Sequence, residues 1–198
     1  MLEGLDGCGK STQIQLLGES LNNKGYEIRV VEEPGGTELG IRVRNLLLNS
    51  EALDIRPLSE LFLYEASRSQ LVESVIKPAL ENGITVLSDR FSLSSVAYQG
   101  YGRGVPLNLV EELNKIAQQD IDPDLTILLD IPVEKLAERK DETGLDRIER
   151  ESTEFYRRVA KGFRAVAEQR ESHLVLDGTL KKEQIHQRIS QRVKELLQ

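Results

Sequence analysis

The chain has 198 residues, 39% of them hydrophobic and 30% charged, which is enough for one domain with its own core. That balance excludes intrinsic disorder, a collagen-like repeat and a disulfide scaffold. With 33 acidic against 26 basic residues the net charge is −7, so the chain is not expected to coat nucleic acid, and any anionic ligand needs a local site.

Short apolar runs alternate with helical patterns along the chain. A helix is predicted over 11–24, ended by Lys24-Gly25, and a β-branched strand over 27–32. Helices follow over 38–49 and 58–82. The second of these places Leu61, Phe62, Ala66, Leu71, Val72, Val75, Ile76 and Leu80 near helical spacing, and Phe62 reads as core. Pro78 predicts a kink or an end there. A strand at 84–88, a helix at 106–119, a strand at 125–131 and a helix at 133–140 come next. A helix at 149–171, a strand at 173–177 and a helix at 181–197 complete the pattern. Nearly continuous apolar strands between helices predict an α/β fold with strands buried on both faces of a parallel sheet. Residues 1–198 are expected to form a single domain. No apolar run reaches the roughly 18 residues of a membrane span, and no signal peptide is visible.

Residues 4–11 read GLDGCGKS, matching G-x-x-x-x-G-K-[ST] through Gly4, Gly9, Lys10 and Ser11. Glycines let backbone N–H groups converge on phosphate oxygens at a helix N-terminus. Lys10 is a cation able to reach the outer phosphates, and Ser11 offers a hydroxyl to Mg²⁺. The expected triphosphate-binding set is Gly4, Leu5, Asp6, Gly7, Cys8, Gly9, Lys10, Ser11 and Thr12. Cys8 is the one cysteine, so no internal disulfide can form, which suits a reducing cytoplasm. It reads as a small residue tolerated by the loop, or as a thiol whose ionisation the helix N-terminus favours. Only Met1, Leu2 and Glu3 precede Gly4, where about five or six strand residues are usual, so the first strand is expected to be cut short.

Three further segments narrow the class. They are Glu33-Pro34-Gly35-Gly36-Thr37, then Asp89-Arg90-Phe91 with Ser94-Ser95-Val96-Ala97-Tyr98-Gln99-Gly100, then Leu145-Asp146-Arg147-Ile148-Glu149. With the EGLDGCGKS opening they resemble bacterial thymidylate kinases, from Glu3 to the Asp177-Gly178 turn. The resemblance implies a three-layer P-loop fold with a five-stranded parallel sheet and a short basic lid at about 139–150. It implies transfer of the γ-phosphoryl group of ATP to dTMP, giving dTDP and ADP on the way to dTTP, with Mg²⁺ as cofactor. A cytoplasmic homodimer with small-molecule substrates, and neither nucleic-acid nor membrane partners, is implied as well.

By the same resemblance, Lys10, Asp89, Arg90, Arg147 and Arg139 are catalytic, and Ser11 and Asp89 hold the metal. The dTMP pocket is expected from Asp6, Glu33, Arg44, Tyr64, Arg68, Arg90, Ser94, Ser95, Tyr98 and Gln99. The chemistry suits these types: a forked guanidinium for a phosphate, a flat ring for a base, an amide for an N–H and carbonyl pair. Three positions depart from the family. Tyr64 stands where phenylalanine is usual, and Glu32 where arginine is more frequent. Gly7 stands where one branch carries an arginine, so Arg139, Lys140, Arg147 and Arg150 of the lid are expected to supply the transition-state cation, Arg147 first. Rival readings are a kinase for UMP, CMP or AMP, an inactive subunit, and a GTPase-like switch. The last needs an N-K-x-D motif, which does not occur.

Overall fold

A computed structural model describes residues 1–49, 53–137, 146–167 and 172–197. Five parallel strands lie in the order β2-β3-β1-β4-β5. They are β1 (Leu2–Glu3), β2 (Ile28–Glu32), β3 (Thr85–Asp89), β4 (Thr126–Asp130) and β5 (His173–Asp177). Helix α1 (Lys10–Asn22) follows β1 and packs on the sheet beside α9 (Lys182–Leu196). On the other side α8 (Thr153–Ala167) packs on β4 and β5. The three layers close over Leu2, Leu17, Leu87, Ile127, Leu128, Leu129, Phe155, Phe163 and Ile189, all buried. Each such side chain contributes about 1.5–3 kcal/mol by leaving water.

The expected strands and helices are present, with shifted ends and some corrections. Of the four five-residue strands, only β4 is buried along nearly its whole length. β2 and β5 are the sheet edges, so Arg29, Val30 and Glu32, and likewise Val175, meet solvent. β1 is short, as its sequence implies, yet it sits at the centre: Leu2 pairs with Asp89 on β3 and Ile127 on β4. The Met1 ammonium donates to Leu125 O at 2.6 Å, and burial pulls its pKa down to about 6.

The long helical stretch is three pieces, α3 (Pro57–Leu71), a π-helical turn (Val72–Ile76) and α4 (Lys77–Glu81). Pro78 neither ends nor replaces it. Proline lacks an N–H and crowds the carbonyl four residues back, and the preceding turn widens so that Lys77 N–H bonds to Val72 O instead. Phe62, expected in the core, is 51% exposed, because α3 turns Leu61 and Glu65 inward and Phe62 outward. The helix expected over 149–171 begins at Thr153, and residues 168–171 lie outside those described. The remaining elements are α2 (Glu38–Asn49), α5 (Ser92–Ser95) running into a π-helical segment (Val96–Gly102), α6 (Leu107–Gln118) and α7 (Val133–Ala137).

Candidate active site

Parallel strands deliver their loops to one end of the sheet, and ligands of such folds bind there. The GLDGCGKS loop follows β1, the Glu33–Thr37 turn follows β2, and Arg90 follows β3. Gly4 has φ +138°, and a Cβ on it would lie 2.6 Å from Leu129 O, so only glycine lets the loop leave the sheet. Gly9, at φ +103°, opens α1 in the left-handed region. The loop's N–H groups and the positive end of α1 then face one cleft, enclosing about 800 Å³ of open space.

That cleft is lined by Asp6, Gly7, Gly9, Lys10, Ser11, Thr12 and Asp89 of the expected set, with Glu32, Glu33, Arg44 and Arg90 at its far wall. Gly4, Leu5 and Cys8 lie behind it, buried. Cys8 is 2% exposed, and burial pushes its thiol pKa up, so the loop does not activate it. Lys10 Nζ folds onto the loop, donating to Gly4 O at 3.2 Å and Leu5 O at 3.1 Å, with Asp6 Oδ1 at 4.0 Å. Ser11 Oγ donates to Asp89 Oδ2 at 2.9 Å. One hydroxyl and one carboxylate beside an open cleft fit Mg²⁺, which keeps several waters and takes its other ligands from phosphates.

A second cleft, of about 560 Å³, opens beside the first. All ten residues expected around dTMP line it: Asp6, Glu33, Arg44, Tyr64, Arg68, Arg90, Ser94, Ser95, Tyr98 and Gln99. Its walls also include Pro34, Leu48, Asp146 and Ile148. Pro34, Asp146 and Ile148 fall within segments that carried the family signal, so proximity in sequence was available to find them. Leu48 carries no such signal; it arrives because α2 leans on α3.

Arg90 is the joint between the clefts. Its backbone adopts φ +72°, a strained conformation for a residue with a side chain. Its guanidinium donates to Asp6 Oδ1 at 2.5 Å, to Ser94 Oγ at 3.0 Å and to Tyr98 Oη at 3.3 Å, and lies 5.1 Å from the Tyr98 ring centre. Tyr98 Oη in turn donates to Asp6 Oδ2 at 3.0 Å. Burial alone would raise the Asp6 pKa, but the charges of Arg90 and Lys10 hold it well below the usual carboxylate range. Glu3, fully buried under this group, accepts from Phe91 N and Ser94 Oγ and fixes the start of α5.

Arg68, 1% exposed, is clamped from every side. Its Nε donates to Glu33 Oε2, and its Nη1 to Glu65 and Asn114 Oδ1, all at 2.7 Å; Nη2 donates to Phe91 O at 3.1 Å. A guanidinium has five N–H groups, so one on Nη2 meets no acceptor among the described residues. One cation faces two buried carboxylates here. Burial, with Glu65 nearby, pushes Glu33 up to about 7 against the pull of Arg68. Glu33 Oε1 is buried and meets no partner among the described residues. Burial likewise pushes up the phenol of Tyr64, keeping its ring neutral at the cleft wall.

The lid residues divide. Arg139 and Lys140 lie outside the described residues. Arg147 lines neither cleft: its Nε donates to Leu47 O at 2.7 Å and its Nη2 to Glu60 Oε2 at 2.6 Å.

Against known proteins, the family model described as thymidylate kinase matches residues 2–189. The chain belongs to the thymidylate kinase family. A thymidylate kinase from Fervidobacterium nodosum is 46% identical over 187 residues, 94% of this chain and 93% of that protein. One from Pelotomaculum thermopropionicum is 44% identical over the whole of this chain and 93% of its own length. The crystal structure of thymidylate kinase from Ehrlichia chaffeensis superposes with a TM-score of 0.79 at 34% identity, covering 98% of this chain and 96% of that one.

Proposed function

We propose that this chain is a dTMP kinase: it moves the γ-phosphoryl group of ATP to the 5′-phosphate of dTMP, giving dTDP and ADP. One observation carries the reading. The cleft over the phosphate-binding loop and the cleft lined by Tyr64, Arg68 and Gln99 share Asp6, Glu33, Arg44 and Arg90 as a common wall. Two anions bound in these clefts would meet at Arg90.

Phosphoryl transfer asks for alignment and charge stabilisation more than for covalent chemistry. Arg90, held by Asp6, Ser94 and Tyr98, is placed to grip the acceptor phosphate. Lys10, drawn off the carbonyls of Gly4 and Leu5, would turn to the donor phosphates. Ser11 and Asp89 would hold Mg²⁺, which when bound offsets charge on the outer phosphates. Tyr64 would offer a flat face to the base, and Tyr98 would crowd a ribose 2′-hydroxyl. Arg147 and Arg139 are the lid arginines proposed to approach the group in flight, Arg147 after leaving Glu60.

A homodimer goes with this reading. Leu39 and Leu46 on α2, Leu58 and Phe62 on α3, and Ile116 on α6 are all exposed apolar side chains, and α3 contacts both neighbouring helices. A cytoplasmic location goes with it too, since ATP and dTMP are found there; no helix among the described residues is long and apolar enough to cross a membrane. The test is transfer of label from γ-labelled ATP in the presence of Mg²⁺. Label is expected in dTDP. Label released only as inorganic phosphate would reduce the protein to an ATPase.

A further inference from the structure

Gln99 reaches the acceptor cleft from the π-helical segment, and its amide has two ends of opposite polarity. The cleft's selectivity therefore depends on which end faces in. Gln99 Nε2 lies 2.8 Å from Glu60 Oε1. Glu60 is a fully buried residue of α3, and its other partners are donors as well. Arg103 Nε lies 3.2 Å from the same oxygen, and Arg147 Nη2 lies 2.6 Å from the second. Both oxygens of Glu60 thus act as acceptors. Turning the Gln99 amide over would set two oxygens against each other in a buried place, a mispairing that burial makes costly. No donor among the described residues meets the Gln99 carbonyl oxygen.

We propose that Glu60 is a positioning residue for specificity: by holding the Gln99 amide nitrogen, it presents a fixed carbonyl acceptor to the nucleobase. The inference rests on the reading of this cleft as the acceptor site and says how it chooses a base. On the cleft wall Arg68 keeps one N–H that no acceptor among the described residues meets. A donor from Arg68 and an acceptor from Gln99 match a pyrimidine that carries a carbonyl at position 4 and a hydrogen on N3. Cytosine offers an amine and a lone pair at those places, so both contacts turn unfavourable. Glu60 itself does not touch the base. Its influence passes through one hydrogen bond to Gln99.

The experiment compares kcat/KM for dTMP and dCMP in wild type, Glu60→Leu, Gln99→Leu and the double variant. In Glu60→Leu, Arg103 keeps Glu151 and Arg147 keeps Leu47 O, while the Gln99 amide is free to rotate. The dTMP-to-dCMP ratio should fall by at least about tenfold in each single variant. The double variant should fall no further, because both changes remove the same acceptor. A Glu60→Leu enzyme that slows on both substrates with its ratio intact would overturn the proposal, as would effects on the ratio that multiply. A wild type with no preference for dTMP would instead overturn the reading of the cleft. Should Glu60→Leu fail to fold, nuclear magnetic resonance on wild type decides. The Gln99 side-chain N–H protons should resist exchange equally with and without dTMP; protons that leave Glu60 for the base on binding would overturn it.

Discussion

The guanidinium of Arg90 donates to the Asp6 carboxylate at 2.5 Å, tying the end of β3 to the phosphate-binding loop that follows β1. Each residue is held by a partner from outside its own loop. Arg90 is held in the left-handed region by its backbone bond to Leu2 O and by Ser88 Oγ on its carbonyl. Asp6 is held by Arg90 and Tyr98 together. The pair stands where the two clefts meet.

Replacing Asp6 by asparagine keeps the shape and removes the charge that positions Arg90. We expect kcat/KM for dTMP to fall by about 10²-fold, since misplacing a reacting group by an ångström costs that much. KM for ATP should change by less than about threefold, because Lys10 and the loop N–H groups stay in place. Steady-state kinetics in both substrates checks this. A loss confined to ATP would place Asp6 with the donor alone.

Arg68→Ala leaves Glu33 and Glu65 buried without their cation. Breaking such a pair costs about 3–5 kcal/mol. For a chain of this size the melting midpoint should drop by at least about 6 °C. A thermal melt within about 2 °C of wild type would show that Arg68 carries no such load. The residue proposed to donate to the base is therefore one that also holds the fold.

Glu33 gives stability a pH signature. Its pKa rises from an ordinary 4.5 to about 7 on folding, so between those values the folded state binds the extra proton. Its contribution is fully present below about 4.5 and is lost as the pH rises through about 7. Relative to Glu33→Gln, wild type should lose stability across that window, by about 3 kcal/mol for a shift of this size. Denaturant melts of both proteins at pH 4.5 and 8 test it. A difference that does not change with pH would contradict it.

Much of this was legible in the sequence because the signal was local. The GLDGCGKS loop needs its glycines for backbone reasons alone, and all ten residues expected around dTMP line one cleft. What the sequence hid was partnership across the fold. Arg68 reads as a base contact, yet most of its donors serve Glu33, Glu65, Asn114 and Phe91. Glu60 reads as one more helix carboxylate, and only the fold brings Gln99, Arg103 and Arg147 to it. Phe62 misled because helical spacing marks an apolar residue without saying whether its face meets the sheet or another molecule. Edge strands misled likewise, since a run such as IRVVE looks the same at the centre and the rim.

Phe62 also makes the assembly testable. Glutamate there places a charge among the exposed apolar side chains of α2, α3 and α6. Phe62→Glu should sediment as a monomer while wild type sediments as a dimer. A variant that still forms the wild-type dimer would move the interface away from α3.

The most direct test of the whole account is kcat/KM for dTMP, dCMP, UMP and AMP, measured by coupled ADP release with ATP and Mg²⁺. The clefts that meet at Asp6 and Arg90 predict dTMP ahead of every other acceptor by at least about 10²-fold. Equal rates with dCMP or AMP, or no transfer to dTMP, would contradict it.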